Sequence, residues 1–177
     1  MKRNINLWQL WGFAVTSLFG TLFHFLYDWT GESAWVAPIS GVNESTWEHM
    51  KILFFPMLIF ALIQRKYFHD YEGFWWRKLF GILTGVGSIP VFFYTYNGVF
   101  GPSPDWINIS FFFLSAGLGF WIEWLLFRRE FSLPYSWIAV GLLVGIAVAF
   151  VVFTFYPPKL PIFQDPKTKR YGLAKSR

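Results

Sequence analysis

His24 and Asp28 lie four residues apart, and the string Asn43-Glu44-Ser45-Thr46-Trp47-Glu48-His49-Met50-Lys51 follows shortly after. Positions four apart share a helix face, so Asp28 can orient the His24 ring as a general base while Glu48 serves as acid. His24, His49 and Glu48 are also a donor set suited to Zn²⁺ or another first-row metal. Their spacing is not that of a signature such as His-Glu-x-x-His, and one metal needs the two rings within about 8 Å. A third chemistry is recognition of a small polar or cationic ligand. Asn43, Glu44, Trp47 and Lys51 offer charge, amide and cation–π contacts for it, and Tyr94, Asn97, Asn108, Ser110, Trp35 and Trp106 could complete a pocket.

The same string has an ordinary structural use. Ser45-Thr46-Trp47-Glu48 has capping-box spacing, and Asn43 is an alternative cap. Glu44 and Glu48 suit the positive end of a helix, and Lys51 is close enough to Glu48 to pair. Capping leaves His49 and Lys51 unexplained. The His24–Asp28 pair could equally do no more than anchor a loop.

These residues have to be positioned by membrane helices. Of the 177 residues, 55% are hydrophobic, 24% aromatic and only 14% charged, with 23 Phe and 11 Trp. A soluble core of this size cannot hide so many large rings, whereas lipid can. Segments of about 20 apolar residues match the roughly 30 Å hydrocarbon layer. Five spans are predicted, at Leu7–Tyr27, Trp47–Ile63, Trp75–Tyr94, Trp106–Phe127 and Trp137–Tyr156, with Trp and Tyr near most ends. The expected fold class is an all-α integral membrane bundle, residues 1–156, followed by an extended, Pro-rich, basic tail, residues 157–177. The first span reads as a retained helix, not a cleaved signal.

Charge sets the expected orientation. Lys2, Arg3, Arg65, Lys66, Arg77, Lys78, Arg128 and Arg129 flank alternate ends, while the stretches 28–46 and 97–105 hold no Lys or Arg. By the positive-inside rule the N-terminus is inside and the first and third loops are outside. Five spans then put the tail outside, although it carries Lys159, Lys167, Lys169, Arg170, Lys175 and Arg177. The preferred reading is an extended strap over the outer acids Asp28, Glu32, Glu44, Glu48 and Asp105. The alternative is a tail on the inner side against anionic headgroups.

Other features have bland readings. Gly81, Gly85, Gly87 and Ser88 form a small-residue stripe for close packing, and Gly117, Gly119, Gly141 and Gly145 are read alike. Pro56 and Pro90 are expected to kink their helices. Glu123 is expected to pair with Arg128, Arg77 or Lys78 near the inner end. His69, Asp70 and Glu72 read as a solvated inner loop. Neither a phosphate-binding glycine loop nor a nucleic-acid motif occurs, and there is no cysteine for thiolate chemistry.

The segments His24-Phe-Leu-Tyr27-Asp28-Trp29, Val42-Asn-Glu-Ser-Thr-Trp-Glu-His49 and Leu53-Phe-Phe-Pro56, with Pro157-Pro158 through Pro166 and Tyr171-Gly172, resemble a family of small multi-pass prokaryotic membrane proteins of unknown function. The resemblance implies a prokaryotic cytoplasmic-membrane protein with an ordered tail, and brings no activity or cofactor. Three functions stay open. One is capture of a small polar or cationic ligand, as the binding part of an uptake system, with binding lost in Glu48→Gln. The second is an intramembrane hydrolase or transferase using His24, Glu48 and His49, with or without a metal. The third is a structural or accessory subunit working beside a membrane protein partner.

Overall fold

The computed structural model describes residues 4–173, and the expected charges Lys2, Arg3, Lys175 and Arg177 lie outside them. Five helices occur in the described chain: α1 Ile5–Trp29, α2 Thr46–Tyr67, α3 Phe74–Phe100, α4 Asp105–Arg128 and α5 Ser136–Phe155. All five are long and apolar enough to cross a membrane. The shortest has 20 residues, about 30 Å at 1.5 Å per residue. The protein is an all-α bundle of the polytopic membrane type.

The central helix is α2, which touches the other four and the tail. Its buried face carries Ile52, Leu53, Phe54, Met57, Phe60 and Ala61. Helix α3 packs most closely on α4, while α1 lies against α2 and α4. Small residues permit these approaches. A Cβ on Gly81 would stand 2.1 Å from Glu123 Cγ, and one on Gly119 would stand 2.9 Å from the Gly81 carbonyl. On α1 the buried positions Gly12, Thr16 and Gly20 make a second stripe, with Phe120 and Phe60 seated on Gly12 and Phe112 on Gly20. By contrast Gly87, Gly141 and Gly145 face open space, and Gly117 has only the Phe13 ring at 3.9 Å. The expected close packing there is therefore absent. Gly81→Ala should lower stability by about 1–3 kcal/mol through overpacking, whereas Gly141→Ala should be neutral or stabilising by up to about 1 kcal/mol. Thermal unfolding in detergent, followed by tryptophan fluorescence, separates the two.

Both Pro56 and Pro90 sit inside continuous helices. Pro56 deprives the Ile52 carbonyl of its i+4 N–H partner, and that oxygen would lie 3.1 Å from a Gly20 Cβ. A glycine is thus needed where α1 meets the released carbonyl. Helix α3 runs further than the expected Tyr94, reaching Phe100. Asn97 shapes the turn beyond it, accepting from the Ser103 N–H at 2.9 Å.

The tail returns to the bundle end that carries loops 30–45 and 101–104. After a 3-10 turn, Pro161–Phe163, Gln164 pairs with Tyr171 in one antiparallel bridge. Asp165 closes the small hairpin by accepting from the Lys167 and Thr168 N–H groups at 2.7 and 3.2 Å. Phe163 stacks on Trp47 with centroids 4.6 Å apart, and Asn43 Nδ2 donates to the Gly172 carbonyl at 3.0 Å.

Candidate functional site

Two carboxylates compete for the role that the sequence assigns to Glu48, and the loop path decides between them. The Gly41 N–H donates to the Phe23 carbonyl at 3.0 Å, folding loop 30–45 back over the end of α1. Asn43 Oδ1 then accepts the Ser45 N–H at 2.8 Å. That is the bond a closed capping box would give to Glu48. Ser45 still caps weakly, accepting from the Glu48 N–H at 3.4 Å. Glu48 is buried, and its Oε2 lies 2.6 Å from Lys51 Nζ and accepts from the Val42 N–H at 3.0 Å. Lys51 spends its three donors on Glu48, on the Ala37 carbonyl at 2.8 Å and on Thr154 Oγ1 at 2.7 Å. This pair knots α2, the first loop and α5.

Glu44 takes the place beside the histidines. Its Oε1 lies 3.8 Å from His24 Nε2 and its Oε2 3.7 Å from His49 Nε2, with the ring centroids 5.5 Å apart. The His49 ring is fixed from behind, because Nδ1 lies 2.9 Å from the Ser45 carbonyl oxygen. A carbonyl only accepts, so Nδ1 carries a proton, and the neutral form of the ring would turn a bare Nε2 toward Glu44. Asp28 is exposed at the end of α1, and the carboxylate within 4 Å of His24 is Glu44.

The three side chains face a cleft of about 470 Å³ between α1 and α4. Asn108, Asp105 and Lys167 line its polar mouth, while Gly20, Thr21, Phe25, Ile52, Ile109, Phe112 and Phe113 line the rest. A second pocket of about 30 Å³, room for a single water, adjoins Glu44, His49 and Asn108 on the α3 side. The tail hairpin holds Lys167 Nζ 3.2 Å from Asp105. That bond, with further attraction from Glu44 against a smaller loss to burial, raises the Lys167 ammonium above the ordinary lysine value.

The remaining expected residues go elsewhere. Trp47 packs on Phe150, Phe153 and Phe163, and Asn43 holds the tail. Tyr94 is half-exposed and stacks edge-on with Phe93. Asn97 and Asn108 both reach Ser103 in the α3–α4 turn, and of these two only Asn108 also lines the cleft. Trp35 and Trp106 are 93% and 66% exposed and line neither the cleft nor the small pocket beside it. For the expected metal set the rings are close enough, but Glu48 is committed to Lys51. Among the described residues, no group of three or more His, Cys, Asp or Glu is spaced to hold a metal ion.

A family model matches residues 1–173 of the sequence. The chain belongs to DUF6512, a family of unknown function. No curated protein and no solved structure matches it. The match supports the expected membership of a family of unknown function and does not bear on the Asn-Glu-Ser-x-Trp-Glu-His string as its mark.

In this DUF6512 chain a second polar centre realises one of the three pairings expected for Glu123, the one with Lys78. Lys78, counted among the flanking inner charges, is fully buried and lies 2.5 Å from Glu123. Four rings, Phe60, Phe74, Phe120 and Phe127, surround its ammonium at 5.5–5.8 Å. The Gln9 amide lies next to Glu123 without closing a well-formed hydrogen bond, and among the described residues Glu123 Oε1 has no hydrogen-bond partner. The available signal was Glu123 itself, since an acid inside a span demands a cation.

Proposed function

We propose that the protein binds a small cationic, amine-bearing ligand between Glu44, His24 and His49. In the same reading the site opens at the outer end of a prokaryotic cytoplasmic-membrane protein whose N-terminus is inside. One observation carries the proposal: His49 Nε2 and Glu44 Oε2 face each other at 3.7 Å, and with Nδ1 donating to the Ser45 carbonyl the neutral ring presents Nε2 as an acceptor. That separation is too long for a direct hydrogen bond and suits a donor placed between them. An ammonium group has three N–H bonds and one positive charge, matching two imidazole nitrogens and a carboxylate. The Phe25, Phe112 and Phe113 rings supply apolar wall for the substituent. Serving an uptake system, such a site would hand the cation to a partner in the membrane.

The test is a series of primary alkylamines from ethylamine upward, with wild type and Glu44→Gln compared by thermal shift in detergent. Wild type should be stabilised, and Glu44→Gln should weaken binding about ten- to hundredfold, the worth of a charged hydrogen bond. No shift with any amine, or equal shifts in both proteins, overturns the proposal.

A further inference from the structure

The cleft is polar only at its mouth, and this asymmetry bears on what enters it. Glu44, His24 and His49 sit near the loop end, whereas Gly20 lies one turn below His24, and Ile52 and Phe112 lie correspondingly deeper on α2 and α4. Below the polar group the walls are apolar and run out to the surface of the bundle. Phe25 and Ile109 stand level with the polar group and are 43% and 57% exposed, while Thr21 and Phe113, one turn deeper, are exposed as well, and all four line the cleft. Exposed apolar side chains in the body of α1 and α4 face lipid, so the lower cleft opens sideways into the bilayer. Toward the other end α1 and α4 close on each other: the Phe120 ring seats on Gly12, and Trp124 Nε1 donates to Asn6 Oδ1 at 2.7 Å. The groove therefore has a floor, an open side and a polar head. A free amine in water would use only the head.

We infer that the ligand is a membrane amphiphile with an ammonium-terminated headgroup, an aminophospholipid, which enters laterally between α1 and α4. This rests on the amine reading of Glu44, His24 and His49 and adds the apolar limb. The ammonium lies among those three side chains and the chain lies along Thr21, Ile109 and Phe113. Lys167, held at the mouth by Asp105, faces the phosphate. A zwitterionic head thus meets charge of the opposite sign at both of its ends, which a purely anionic head does not.

The experiment uses the full chain, delipidated in detergent, and native mass spectrometry with titration of phosphatidylethanolamine, phosphatidylglycerol and free ethanolamine. Two variants accompany wild type. Glu44→Gln removes the counter-charge, and Thr21→Phe fills the exposed apolar limb one turn below His24. The expected result is one phosphatidylethanolamine per chain, bound at least about tenfold tighter than phosphatidylglycerol and weakened about tenfold by either variant. Equal retention of both lipids, indifferent to the variants, identifies only boundary lipid and overturns the inference. Ethanolamine bound as tightly as the lipid and unaffected by Thr21→Phe overturns the amphiphile while leaving the amine site standing. Binding of neither lipid nor ethanolamine overturns both.

Discussion

Lys78→Met is expected to destabilise the bundle by about 3–5 kcal/mol, the cost of breaking a buried ion pair by removing one partner. The ammonium it removes is the counter-charge of Glu123, at 2.5 Å, and both groups are fully buried between α3 and α4. Among the described residues only the Gln9 amide, poorly placed for a hydrogen bond, stands near the carboxylate besides Lys78. The carboxylate would take up a proton, and infrared spectroscopy should show a protonated-carboxyl band that wild type lacks. The four phenyl rings around Lys78 also lose their cation, though a methionine fits among them. Lys78→Met/Glu123→Met should recover most of the stability, because removing a whole buried pair is far cheaper than removing half of it. Unfolding of the two singles and the double, read from the 11 tryptophans, gives the coupling directly. Single variants whose losses simply add in the double would show that the pair is not coupled.

The five spans were legible because span length and hydropathy are local properties. Each predicted core falls inside its helix, and the ends move by only a few residues where a side chain intervenes, as Asn97 does beyond α3. Helix rotation is not local, and most of the misplacements follow from it. Spacing leaves Arg128, Arg77 and Lys78 as equal partners for Glu123, and the rotation of α3 selects Lys78 by turning it onto Glu123 and four aromatic rings. Glu44 and Glu48 are equally plausible partners for the histidines on spacing alone. The choice depends on the Gly41–Phe23 bond and on Asn43 taking the Ser45 N–H, and both are set by the path of the loop. Thr154, on α5, is more than a hundred residues from Lys51, and no periodicity links them. The nearness of His24 and His49 was legible, because both stand at the same depth in consecutive spans, and their ring centroids lie 5.5 Å apart.

Lys51→Met should cost about 3–5 kcal/mol at the opposite end, and Glu48→Gln a comparable amount. In the first, the Ala37 carbonyl, Thr154 and Glu48 lose their shared donor. In the second, the Val42 N–H keeps an amide oxygen but Lys51 is left as an unpaired buried ammonium. The mechanical consequence is specific. Helix α5 packs mainly on α3 and only lightly on α2, so the Lys51–Thr154 bond and the Trp47 stack carry much of the junction that also seats the tail. Limited proteolysis should therefore open first in residues 30–45 and 157–173, ahead of global unfolding. Glu44→Gln behaves differently. Its carboxylate is partly exposed and 3.7–3.8 Å from its neighbours, so ligand-free stability should change by no more than about 0.5 kcal/mol while amine binding falls. The contrast separates the knot from the site. Should Glu48→Gln abolish amine binding with stability and proteolysis unchanged, Glu48, and not Glu44, would be the carboxylate that faces the ligand.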